Sequence, residues 1–149
     1  MALFVAVSQC AGLIGIPFTD RATDGWFDQL DKPWFNPPSW VFSPVWTTLY
    51  LLMGVAAWLV WRHPDSRRRT TALALFAVQL VLNAAWTPIF FGAQAPGWAL
   101  IEQLALDGTA IATAVAFARI DRRAGALFVP YLAWLAFATI LNAAIVSAN

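Results

Sequence analysis

Residues 70–91 read TTALALFAVQLVLNAAWTPIFF, and no charged side chain follows until Glu102. A helix crossing about 30 Å of hydrocarbon needs about 20 mostly apolar residues, so this stretch is long enough to span a bilayer. Working outward, four similar stretches flank it: Ala2–Phe18, Ser43–Trp61, Gly97–Ala118 and Ala124–Ser147. Only the span from Gly97 contains charges, Glu102 and Asp107. All five far exceed the roughly 9–11 residues of a transmembrane barrel strand and lack period-two alternation. The expected fold is therefore all-α, a polytopic membrane bundle of five transmembrane helices in a single domain over residues 1–149.

Composition points the same way. The chain is 60% hydrophobic and 11% charged, against roughly 25% charged in ordinary soluble domains, and its mean hydropathy is +0.65. Nine Lys or Arg against eight Asp or Glu exclude the basic footprint of a nucleic-acid binder. One cysteine, Cys10, and one histidine, His63, exclude an internal disulfide and leave too few ligands to expect a metal centre. No nucleophile elbow, phosphate-cradling glycine loop or HExxH helix is present. Glu102 and Asp107 stand about 140° apart around a helix, so they do not form an acid–base pair on one face. The first span lacks the basic flank and small-residue cleavage site of a signal peptide, and it is read as a retained helix.

Seven of the nine basic residues fall in the second and fourth connections: Arg62, Arg67, Arg68 and Arg69, then Arg119, Arg122 and Arg123. The positive-inside rule places these loops, and with five crossings the N-terminus, on the cytoplasmic side. Loop one, Thr19–Phe42, is different. It opens with Asp20, Arg21, Asp24 and Asp28 and then runs KPWFNPPSW from Lys32 to Trp40. Trp26, Phe27, Trp34, Phe35 and Trp40 suit a membrane interface, and Pro33, Pro37 and Pro38 stiffen the backbone between them. Long loops in compact domains are usually functional lids or disordered; the aromatic content favours an ordered cap over one mouth of the bundle.

Nine tryptophans are too many for interface anchors alone, and helical spacing sorts them. Trp46, Tyr50 and Met53 share one face of the second span. Gln79, Asn83, Trp86 and Phe90 share a face of the third, and Trp134, Ala138 and Asn142 a face of the fifth. Amides at membrane depth turn to the bundle interior because lipid offers them no partner, so these faces are expected to meet. Periodicity alone leaves two readings: an aromatic wall for a flat hydrophobic ligand, or a hydrogen-bonded seam between helices. Small residues at four-residue spacing, Gly108, Ala112 and Ala116, and Ala11 with Gly15, suit close helix contacts.

Five stretches carry a family resemblance: Trp26 to Pro38 (WFDQLDKPWFNPP), Pro44 to Tyr50 (PVWTTLY), Gln79 to Ala93 with Asn83, Trp86 and PIFFGA, Gly97 to Leu100 (GWAL), and Pro130 to Thr139 (PYLAWLAFAT). Together they resemble the TspO/MBR family, the tryptophan-rich sensory proteins of bacteria and the mitochondrial translocator protein. The resemblance implies a receptor or sensor for tetrapyrroles, protoporphyrin IX and haem, and for benzodiazepine-type ligands. A transporter of porphyrin or sterol and a light-dependent porphyrin-degrading enzyme are the alternatives it carries. No cofactor is implied beyond porphyrin or haem as ligand; the partners the resemblance allows are membrane lipid and a second copy of the chain, in a bacterial or outer mitochondrial membrane.

The ligand-binding positions expected from helical faces and resemblance together are Trp46, Tyr50, Asn83, Trp86, Phe90, Trp98, Trp134, Ala138 and Leu141. Trp26, Lys32, Pro33, Trp34, Pro37 and Pro38 are the expected lid. Trp46 and Trp134 are the only catalytic candidates, through indole photochemistry, and no residue is assigned to a metal. Two departures narrow the transfer. No Lys or Arg follows Arg123, so the mammalian sterol motif is missing from the fifth helix, although Arg123, Phe128 and Leu132 fit its reversed form. Ala74 and Val78 stand where the family's glycine-based dimer motif lies.

Overall fold

The computed structural model describes residues 1–14, Pro17 and 25–149. The end of the first expected span from Gly15 on, Pro17 apart, and Thr19–Asp24 of loop one lie outside the described residues. Those described form helices and no strand: α1 (Ala2–Leu13), a short α2 in loop one (Trp26–Gln29), α3 (Ser39–Trp61), α4 (Arg67–Thr87), α5 (Pro96–Ala118) and α6 (Arg122–Ala148). Four are long and apolar enough to cross a membrane: α3, α4 with its continuation to Gly92, α5 and α6. The chain is a multi-pass integral membrane protein, with apolar α1 as the fifth helix of the bundle.

Helix ends follow local chemistry. α3 begins at Ser39, earlier than the apolar run suggests, because Pro38 already holds φ −57° at its N-cap and the Ser and Trp that follow do not read as hydrocarbon. Ser66 caps α4 by accepting from the Arg69 N–H at 3.2 Å. Asp121 caps α6 by accepting from the Arg123 N–H at 2.8 Å. That bond, with a further contribution from His63, holds the Asp121 carboxyl below its ordinary value against partial desolvation. The resulting stabilisation is present at neutral pH and is lost as pH falls through the lowered value. α4 runs on into a π-helical turn, Pro88–Gly92; Pro88 has no N–H to continue the ladder, and the chain widens by one residue instead.

α5 packs against both α4 and α6, and α3 against α1 and α6. The α1–α3 contact depends on Gly54, where a Cβ would lie 2.6 Å from the Val5 Cα. One core, with Met53, Ala56, Val60, Phe117, Phe128 and Tyr131 wholly buried, runs through the bundle. Gly108 and Ala112 are exposed, so that part of the small-residue stripe on α5 meets no other helix here.

Loops two and four lie at one end, where His63 Nε2 stands 3.5 Å from Asp121 Oδ2. The described part of loop one, from Gly25 on, lies at the opposite end, where Asp31 bonds Asn149 beyond α6. If the basic end is cytoplasmic, Arg68→Cys on a Cys10→Ala background will resist an impermeant thiol reagent in intact cells and react once the membrane is opened. Labelling in intact cells would reverse the orientation.

Candidate functional site

Two aromatic clusters form at and below the capped end. In the first, Trp46 of α3 stacks on Tyr50 with ring centroids 5.4 Å apart. Trp46 also meets Tyr131 at 6.4 Å and Trp134 at 6.4 Å, nearly perpendicular. Phe42, one turn before Trp46, lies edge-on to Trp134 at 5.8 Å.

Beneath these rings runs a buried hydrogen-bond chain. The Tyr50 hydroxyl donates to Asn83 Oδ1, and Asn83 Nδ2 donates to the Tyr131 oxygen at 3.1 Å. The Tyr131 hydroxyl donates to Gln79 Oε1 at 2.9 Å, and Gln79 Nε2 points at Met53 Sδ, 3.8 Å away. All five residues are buried. The chain joins α3, α4 and α6 and answers the demand that polar groups at membrane depth find partners inside the protein. The Asn83 and Gln79 amides therefore form an interhelical seam, and the aromatic wall stands directly on it. α1 closes the side: a Cβ at Gly12 would overlap the Tyr50 ring.

The second cluster joins the cap to the bundle. Trp86 stacks on Phe90 at 4.8 Å, and Phe90 meets Trp26 at 5.9 Å and Phe27 at 6.1 Å. Phe35 reaches Phe137 of α6 at 6.4 Å, and Ala99, Leu141 and Ile145 complete the packing. Lys32 folds the cap on itself: its Nζ donates to the Phe27 carbonyl at 2.6 Å and lies 4.6 Å over the Phe27 ring. Asn149, the last residue, ties the cap to α6 by accepting from the Asp31 N–H at 3.0 Å and donating to the Asp31 carbonyl at 3.1 Å. Pro33 and Pro37 are half-buried and Pro38 is exposed where it leads into α3.

The expected site residues thus divide. Trp46, Tyr50, Asn83 and Trp134 come together in the first cluster, with half-buried Ala138 one turn beyond Trp134. Trp86, Phe90 and Leu141 join Trp26 of the lid in the second. Trp34 and Trp98 stand outside both clusters at 95% and 71% exposure. Asn142 does not join Gln79 and Asn83: its amide donates to the Pro96 carbonyl and accepts from the Leu100 N–H, each at 3.2 Å, and so binds α6 to the first turn of α5. Tyr131 is the largest omission from the expected site; it lies three residues before Trp134, on the same helical face.

The reversed sterol pattern does not survive folding. Phe128 is wholly buried between Phe117 at 5.3 Å and Tyr131 at 5.8 Å, away from lipid. A groove of about 320 Å³ between α3 and α6 is lined by Pro44, Val45, Thr48, Leu49, Leu52 and Pro130, none of them an expected ligand contact. The Thr48 hydroxyl is turned back onto the Pro44 carbonyl at 2.8 Å.

Fold and site define a polytopic helical membrane protein with an aromatic cluster set on a buried amide–phenol seam beneath a loop cap. A model of the TspO/MBR family matches residues 4–147, and the chain belongs to that family. It is 47% identical to the translocator protein of Homo sapiens over 141 residues, 93% of this chain and 83% of the human one. It is 46% identical to the tryptophan-rich sensory protein of Cereibacter sphaeroides over 131 residues, 86% and 81% of the respective chains. With protein CrtK of Rhodobacter capsulatus it shares 37% over 142 residues, 95% and 87% of the two chains.

Proposed function

We propose that the protein is a membrane receptor for flat hydrophobic ligands, tetrapyrroles such as protoporphyrin IX and haem in the first place and benzodiazepine-type ligands in the second. The observation that carries this reading is the Trp46–Trp134 pair. Two half-buried indoles nearly perpendicular to each other stand on a floor whose polar atoms already satisfy one another. A ligand there gains stacking and apolar burial without having to satisfy stranded amides. Entry requires Trp134 to turn or Phe35 of the cap to lift, with Phe42 in the first turn of α3 as the neighbouring wall, which gives the cap its role as a lid. Membership of a family that includes sensory and translocator proteins supports the same reading.

A titration of protoporphyrin IX against tryptophan fluorescence, first in the dark and then under illumination, tests it. Saturable quenching in the dark, with bound pigment bleaching no faster than free pigment in detergent, is the expected result. Faster, product-forming bleaching would make the protein the light-dependent enzyme instead, and flux into proteoliposomes would make it a transporter.

A further inference from the structure

The acids of α5 have no part in the aromatic site and, among the described residues, only Asp107 has hydrogen-bond partners. Asp107 accepts from the Thr139 hydroxyl at 2.7 Å and from Gln103 Nε2 at 3.1 Å, so it joins α5 to α6. Glu102 is different: both carboxyl oxygens are buried and, among the described residues, neither has a hydrogen-bond partner. In either protonation form a bond is missing there. A carboxylate lacks a donor, and a carboxylic acid lacks an acceptor for its proton.

We propose that Glu102 is the anchor of a second binding site, on the opposite flank of α5 from Asp107, and that its ligand is the ammonium group of a lipophilic amine. Three features select that chemistry. Among the described residues no cation pairs with either acid; Lys32 is committed to the Phe27 and Leu30 carbonyls. Arg119 lies about 26 Å farther along the helix at 1.5 Å per residue. The donors on Asp107 are neutral and, among the described residues, Glu102 has none, so its two oxygens are open to a charged donor, whose hydrogen bonds are stronger than those of a neutral one.

Access comes from the lipid side. Trp98, four residues before Glu102, and Ala105, three after, are exposed, while Ala99 and Leu106 on its other side are buried, so half-buried Glu102 stands at the edge between the outer face of α5 and the bundle. The apolar part of the ligand remains in lipid or against the Trp98 indole while its ammonium reaches Glu102. Glu102 also lies six residues into α5, about 9 Å from the helix start, within reach of a phosphatidylethanolamine headgroup as well as of a free amine. The two sources share the chemistry.

The test uses the full chain in phosphatidylcholine nanodiscs, with dodecylamine as probe and dodecanol as its neutral counterpart, read by tryptophan fluorescence. Dodecylamine is expected to saturate the wild type at a concentration at least about tenfold below dodecanol. That preference should vanish in Glu102→Gln and persist in Asp107→Asn. Adding phosphatidylethanolamine will weaken dodecylamine binding if the headgroup occupies the site, and leave it unchanged if free amines are the ligand. Equal preference in wild type and Glu102→Gln, or loss in Asp107→Asn alone, overturns the proposal. Should Glu102→Gln not fold, Glu102→Asp keeps the charge but withdraws it by one methylene, and an undiminished preference in that variant is equally fatal. The readout is independent of porphyrin binding, so the tetrapyrrole reading can fail while this one stands.

Discussion

Asn83→Leu will destabilise the protein by about 1–3 kcal/mol, because it strands the buried Tyr50 hydroxyl and removes a donor from Tyr131 in a region without water. The cost comes from the orphaned phenol more than from the bond itself. Tyr50→Phe alone removes the hydroxyl and its need together, leaving the Asn83 carbonyl without its donor. In the double variant Asn83→Leu with Tyr50→Phe no hydroxyl is stranded, so its destabilisation should fall short of the sum of the two single changes. Thermal unfolding in one detergent, analysed as a double-mutant cycle, measures that coupling. Additive costs would mean that the seam is not a cooperating unit, and that Asn83 is free to serve a ligand.

Ala138→Leu carries the second large effect. Ala138 lies on α6 one turn beyond Trp134, and the half-buried space beside it adjoins the indole that a flat ligand must meet. Leucine adds three heavy atoms there, and overpacking typically costs about 1–3 kcal/mol. If that cost falls on the bound state, porphyrin affinity drops about five- to 150-fold, while unfolding of the unliganded protein changes little. Equal dissociation constants for wild type and Ala138→Leu would place Ala138 outside the site.

Much of this molecule is legible in one dimension because a bilayer enforces a simple rule: long charge-free runs become helices. The positions of Trp46, Tyr50, Met53, Gln79 and Asn83 follow from helical spacing and from the need of amides for interior partners. What spacing does not convey is which partner each amide finds. Asn142 shares a helical face with Trp134 two turns away, as Asn83 shares one with Gln79 one turn away, yet it bonds the backbone of α5, since that helix begins beside it at Pro96. Tryptophan is ambiguous for a related reason. An indole is at home in a core and at a water–lipid boundary alike, so Trp46 and Trp98 look equivalent in the sequence, and only the packing of α3 against α6 separates them. The π-helical turn at Pro88–Gly92 is similarly hidden. Proline announces an interrupted ladder, but whether the chain stops, kinks or widens depends on what Phe90 and Phe91 pack against, and here that is the cap.

The cap itself is half legible. Its aromatics and prolines mark an ordered loop, and Trp26, Phe27 and Phe35 do pack into the bundle. Lys32 is expected in the lid, but spacing does not tell that its ammonium is held by the Phe27 and Leu30 carbonyls, a local contact set by loop geometry rather than by residue type.

The central claim, that the Trp46–Trp134 wall is where a tetrapyrrole binds, is tested most directly by dark titration of protoporphyrin IX into wild type and into the double variant Trp46→Ala with Trp134→Ala, followed by porphyrin absorbance in nanodiscs. Loss of two aromatic contacts, each worth about 0.5–1.5 kcal/mol beyond area burial, should weaken binding at least about fivefold while leaving the variant folded. A dissociation constant equal to that of wild type would contradict the claim and move the ligand elsewhere in the bundle.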